Sequence, residues 1–288
     1  MMKALYSGVS GMRSHQTKMD VIGNNIANVN TNGYKTQRAT FRDIYYQQLQ
    51  TPGAATANTI GGTNASQVGY GAQVDSVDTI HTLTGYSPTN KGTDIYINGD
   101  GYFMVKDNSD NTYFTRYGAM HFDSSGNLVD SNGSRVFGLK KGATATDGKI
   151  EDTSTDFGAI NINLDHYKNI TINRDGTITG VAMEDAAEDN DTIVTLAQIA
   201  IAYVPNQNAL VAEGSSYYSE SVDSGTITYN VPGLNATGPL ITGALEMSNV
   251  DLANEFSDMI ITQRGFQANT KIISVVDQML EELVNLKR

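Results

Sequence analysis

Cysteine is absent from the 288-residue chain, which excludes disulfides, zinc–thiolate sites and thiol nucleophiles. Long apolar runs are missing as well, and none comes near the ~20 residues that a membrane-spanning helix needs. The chain does not open with a basic stretch leading into an apolar one, so no cleaved secretory signal is expected. Tryptophan is also missing, whereas glycine (28) and tyrosine (15) are plentiful. The remainder is 39% hydrophobic and 17% charged, enough to bury a core in one large domain or two smaller ones of ~100–200 residues each.

Catalytic patterns are lacking too. His15, His81, His121 and His166 are scattered and form no His-x-x-x-His or His-Glu pair. Gly8-Val9-Ser10-Gly11 lacks the residue that a nucleophile elbow places between serine and second glycine. Gly69-x-Gly71 and Gly99-x-Gly101 open like dinucleotide loops, but Val74 and Met104 stand at the third glycine position. The Asp107–Asn111 run fails as a helix-loop-helix calcium site, because Thr112 and Gly118 replace the required glycine and glutamate. It reads as a polar hairpin tip, and the acidic 184–191 cluster reads as a solvated loop. An enzyme is not expected, nor a metal site or any cofactor.

Charge is present but unevenly distributed within the net −12. Residues 1–50 carry six basic and two acidic side chains, 51–240 nine and 22, and 241–288 four and seven. An acidic middle repels phosphate backbones, so nucleic acid is not an expected partner. Ends of opposite sign suit ends that lie together.

Both ends read as helices. Over residues 3–29, Leu5, Met12, Met19 and Ile26 recur every seven positions, and over 249–286 so do Leu252, Met259, Phe266, Ile273 and Leu280. A seven-residue apolar repeat marks helix packing on helix. Gly8, Gly11 and Gly23 cost the first helix ~1 kcal/mol each relative to alanine, so it needs a partner. Asn249 or Asp251 can cap the second, Glu255 suits its first turn, and Lys287 and Arg288 suit its last. Either helix alone is an ordinary core element. Two of them at opposite ends favour a terminal coiled-coil pair.

The middle is β-rich. Residues 94–105 read as two short strands around an Asn98-Gly99 turn. Further strands are expected at Tyr113–Tyr117, Ile170–Ile172, Ile178–Val181, Ile193–Val204 and Thr226–Tyr229. Residues 51–71, rich in Gly, Ala, Thr and Asn, read as flexible or extended. The expected fold is α+β: residues 1–34 with 249–288 as a helical domain, 35–74 with 241–248 as an extended connector, and 75–240 as an outer β domain.

Residues 17–38, Thr17-Lys18-Met19-Asp20-Val21-Ile22-Gly23-Asn24-Asn25-Ile26-Ala27-Asn28-Val29-Asn30-Thr31-Asn32-Gly33-Tyr34-Lys35-Thr36-Gln37-Arg38, resemble the N-terminal motif of bacterial flagellar rod and hook proteins. Leu5-Tyr6-Ser7-Gly8-Val9-Ser10-Gly11-Met12 is similar to its hook version. Gly243–Leu252, including Ser248, Asn249 and Val250, and Gln263-Arg264-Gly265-Phe266-Gln267-Ala268-Asn269 resemble the family's C-terminal motifs. The resemblance implies a structural axial protein, exported by the flagellar type III apparatus and polymerised into a hollow helical tube through paired terminal helices. Implied partners are other copies and the rod, hook, hook-cap and hook–filament junction proteins, at the basal body and hook outside the cell. The terminal wording favours a hook member, while the length is closer to a distal rod member. Here the Asn24, Asn25 and Asn28 amides are expected to satisfy polar groups across close helix contacts. From a different class, a secreted β-rich adhesin or binding module with helical ends stays open.

Overall fold

The computed structural model describes residues 2–54, 61–140, 149–150, 157–183, 192–235 and 237–286. It divides into two compact units. A helical unit combines Met1–Val29, Thr36–Ile80 and Val250–Arg288, and a β unit combines Asn30–Lys35 with His81–Asn249.

In the helical unit, α1 spans Met2–Ala27 and α2 spans Leu252–Leu286. Asp251 is the cap of α2, its Oδ1 accepting the Ala253 N–H at 2.9 Å, while the Asn249 amide donates to the Thr82 hydroxyl. Lys287 and Arg288 lie outside the described residues. The helices run antiparallel: Gly8 lies by Ile273, Lys18 Nζ is 3.1 Å from Asp258, and the Asn25 amide donates to Glu255 Oε1 at 3.1 Å. Between them in sequence come β1 (Gln37–Asp43), β2 (Tyr46–Gln50), β3 (Ser66–Gly69) and β4 (Ala72–Thr79). β1 pairs with β4 and β2 with β3, both antiparallel. About half of the expected 35–74 connector is therefore paired ribbon. The pairing shows only once the register is set, which brings Arg38 to Asp78 and Arg42 to Asp75, at 3.7 and 3.2 Å. These exposed pairs add little stability each.

The β unit includes β5 (Tyr86–Pro88), β6 (Ile95–Ile97), β7 (Tyr102–Lys106) and β8 (Thr112–Thr115). Its main sheet runs, in order, through Lys149–Ile150, Thr228–Asn230, Ile201–Tyr203, β7, Arg135–Lys140, Ile193–Ile199, Thr177–Ala182 and Tyr167–Ile172. Side chains alternate across a strand, and β7 uses both faces. Phe103 and Val105 enter one core with Ile95, Met120, Leu128, Ile178 and Ile199, while Tyr102 and Met104 enter another with Phe114, Leu139 and Val204.

Every expected central strand is present in whole or part, and Asp107–Asn111 forms the tip joining β7 to β8. One pairing departs from expectation. β6 and β7 flank the Asn98-Gly99 bend without pairing with each other: β6 pairs with Leu240–Thr242, and β7 with β8, Arg135–Lys140 and Ile201–Tyr203. A Cβ on Gly99 would lie 2.7 Å from Gly238 Cα, so this loop is held by a close backbone approach and not by a two-residue hairpin. The acidic 184–191 cluster lies outside the described residues.

Candidate assembly surfaces

The contact between α1 and α2 is built on small residues. A Cβ on Gly11 would lie 2.8 Å from the Asn269 amide nitrogen, and one on Gly265 2.7 Å from the His15 ring. Glycine at these positions lets the backbones approach closely. On α2 the less exposed positions are Glu255, Met259, Thr262, Gly265, Phe266, Asn269, Ile273 and Val276; apart from Gly265 they fall alternately four and three apart, as in a heptad seam. The apolar column Met259–Phe266–Ile273 was legible in the sequence. Its neighbour Glu255–Thr262–Asn269–Val276 was not, because three of its four residues are polar. On α1, Leu5, Met12, Met19 and Ile26 are each half-buried, and the buried positions are Gly8, Ser14, Ile22 and Asn25.

Leu252 and Leu280, the ends of the expected α2 stripe, are exposed. The cause is length. α2 has 35 residues against 26 in α1, and Gly8 already lies by Ile273. One heptad on, Leu280 overhangs the start of α1; Leu252 overhangs its end. Two further apolar rows flank the seam at ~100° per residue. Leu252, Phe256 and Ile260 form one; Ile261, Ile272, Val275, Met279 and Leu283 form the other, and all are exposed. Among the described residues no helix is long and apolar enough to cross a membrane. On its other side α1 meets β4, where Ser14 Oγ donates to the Ala72 carbonyl at 3.2 Å. Tyr6, Val9, Arg13, Thr17, Ile44 and Val74 line an open groove of about 320 Å³ there.

Of the motif residues, Asn25 holds elements of the helical unit together. Only 1% exposed, it donates to the Gln37 carbonyl and Glu255, and its Oδ1 accepts the Gln37 N–H at 3.0 Å. The Asn28 amide, just past the end of α1, donates back to the Asn24 carbonyl at 2.9 Å. Asn30 is exposed, Gly33 turns the chain with φ +72, and Ser248, Asn249 and Val250 are half-buried. Gln263 is exposed, and Arg264 donates to Gln267 at 3.2 Å on the surface of α2. A Cβ on Gly23 would meet nothing within 4 Å. Gly23→Ala should therefore raise the stability of the soluble chain by about 0.5–1 kcal/mol, readable as a higher urea midpoint at unchanged slope.

A titratable group that the sequence did not single out lies in the β unit. The Tyr102 hydroxyl is 2.8 Å from His81 Nδ1. Burial, with the Lys35 and Arg116 cations nearby, lowers the His81 pKa to about 4. As pH falls from about 6.5 the unfolded chain takes up this proton first. The stabilisation is thus complete above 6.5 and lost progressively towards pH 4, by about 3 kcal/mol. His81→Gln should flatten that part of the stability–pH curve relative to the unchanged protein in urea titrations.

Three family descriptions match in chain order. Residues 5–35 match the flagella basal body rod protein, 96–180 the flagellar hook protein FlgE/F/G D1 domain, and 241–286 the flagellar basal body rod FlgEFG protein C-terminal region. The chain is 43% identical to the flagellar basal-body rod protein FlgG of Bacillus subtilis over 289 positions, covering all of both chains. It is 35% identical to FlgG of Borreliella burgdorferi over 290 positions, again covering both. It is 29% identical to the hook protein FlgE of the same organism over 443 positions, with both chains covered in full. With its terminal helices, its β unit and these end-to-end relationships, the chain belongs to the flagellar rod and hook family of structural axial proteins.

Proposed function

We propose that this chain is a distal rod protein of the flagellar basal body, polymerising through its helical unit into a hollow tube. The observation that carries the rod reading over the hook reading is length. Rod relatives align over 289 and 290 positions, close to the 288 residues here, whereas hook relatives need 443 and 472. The extra hook residues have no counterpart in this chain, so the hook-like wording of the N-terminus is outweighed.

In this reading α1 and α2 form an antiparallel two-helix coiled coil, and the apolar rows on α2, with the overhanging Leu252 and Leu280, meet neighbouring copies. Charge supports that division of labour. The helical unit carries nine basic and ten acidic residues, and the β unit ten and 21. A near-neutral unit packs against many copies of itself without the self-repulsion that the acidic unit would meet. The work is structural and not enzymatic, export goes through the flagellar type III apparatus, and the chain meets other rod and hook proteins at its two ends.

Deletion of the gene, followed by electron microscopy of isolated basal bodies, tests the proposal. The expected product is a truncated rod bearing no hook. A complete rod lacking only the hook would transfer the chain to the hook, and an intact rod and hook would leave the adhesin class standing.

A further inference from the structure

The chain passes between the two units four times: after Val29, Lys35, Ile80 and Asn249. Within the β unit, the segments beside these passages converge on Glu246. Its backbone carbonyl accepts the Gly33 N–H at 2.9 Å. Its Oε1 accepts from Lys35 Nζ at 2.6 Å, and the same ammonium donates to the Thr82 carbonyl at 2.7 Å. The Thr84 hydroxyl donates to the carbonyl of Met247 at 2.7 Å. Arg116 completes the group, Nη1 lying 3.6 Å from Glu246 Oε2 with the guanidinium over the Tyr102 ring. All three charged side chains are at most 2% exposed.

Residues 30–35 form no helix or strand, so a ladder of hydrogen bonds does not explain their attachment. Gly33, at φ +72, is pressed so closely that a Cβ would lie 3.1 Å from the Tyr117 nitrogen, a position that favours glycine. Burying charge costs several kcal/mol per ion, and well-packed apolar residues of similar volume often serve stability equally well. One carboxylate between two cations does supply a single permitted geometry, because each displaced partner leaves a charge unpaired in a dry interior.

We propose that Glu246, Lys35 and Arg116 form a buried clamp that fixes the entry and exit segments of the β unit against one another. A twist applied to the chain at one passage is then shared by the others instead of peeling residues 30–35 away. The clamp lies inside the β unit and does not depend on the rod reading.

Hydrogen exchange of the full-length soluble chain, compared with Lys35→Met, tests it. The amides of Gly33 and Tyr34, which donate to the Glu246 and Thr31 carbonyls, and that of Met247, which donates to the Gly85 carbonyl, should exchange about tenfold faster or more, while those of β7 and Arg135–Lys140 keep their protection. Uniform acceleration across the unit, or no change at Gly33 and Tyr34, would overturn the clamp. Should Lys35→Met fail to fold, the apolar triple variant Lys35→Met, Arg116→Met, Glu246→Leu decides. It should keep the core protected and Gly33 and Tyr34 fast, whereas unchanged protection at these two would show that the charges are dispensable.

Discussion

Leu280→Asp should yield a soluble chain with native circular dichroism that no longer polymerises. Leu280 lies one heptad beyond Ile273, past the start of α1, and is 37% exposed. Its replacement therefore removes little from the isolated chain, where a solvated aspartate costs only tenths of a kcal/mol in helix propensity. Covered by a neighbouring copy, the leucine contributes roughly 1.5–3 kcal/mol, and an aspartate there adds the cost of an unpaired, desolvated charge. The loss recurs at every copy, so growth should stop. Ile261→Asp, at a side chain 64% exposed in the flanking row, should behave alike. Lys271→Ala, on exposed α2 surface, should assemble normally. Sedimentation and negative-stain microscopy read the outcome; a Leu280→Asp chain that polymerises normally would remove the overhang from the interface.

Gly118→Ala should be the most damaging single methyl in the β unit. A Cβ there would lie 1.7 Å from the Ile95 carbonyl oxygen and 3.2 Å from Phe103 Cε2. Ile95 N–H already donates to the Gly118 carbonyl at 2.9 Å, so the backbone cannot yield without breaking that bond and shifting two fully buried core residues. A loss of about 3–5 kcal/mol is expected. Urea unfolding followed by tyrosine near-ultraviolet dichroism measures it. Gly92→Ala, where a Cβ would meet nothing within 4 Å, should leave the midpoint in place.

Both helices were legible because their heptads are local patterns, and most central strands because turn signals punctuate them. What escaped depends on residues far apart in sequence. The ribbon of β1 with β4 rests on cross-strand register, and the β6 pairing on a contact between Gly99 and Gly238. On the candidate surface, the polar column Glu255–Thr262–Asn269 does not register as hydrophobic periodicity, although Asn25 meets Glu255 across the two helices. The overhang of Leu252 and Leu280 followed from the unequal lengths of α1 and α2, which no single repeat displays. Lys35, inside the N-terminal motif, gave no sign of burial, because Glu246 lies 211 positions away.

The apolar rows of α2 are the proposed surface between copies. Electron cryo-microscopy of rods sheared from cells, at a resolution that places side chains, measures this directly. Ile260, Ile261, Ile272 and Leu280 should be buried against other copies of the same chain, with the acidic β unit making the fewer contacts. Rods in which these four side chains face solvent, with copies joined through the β unit, would contradict that placement.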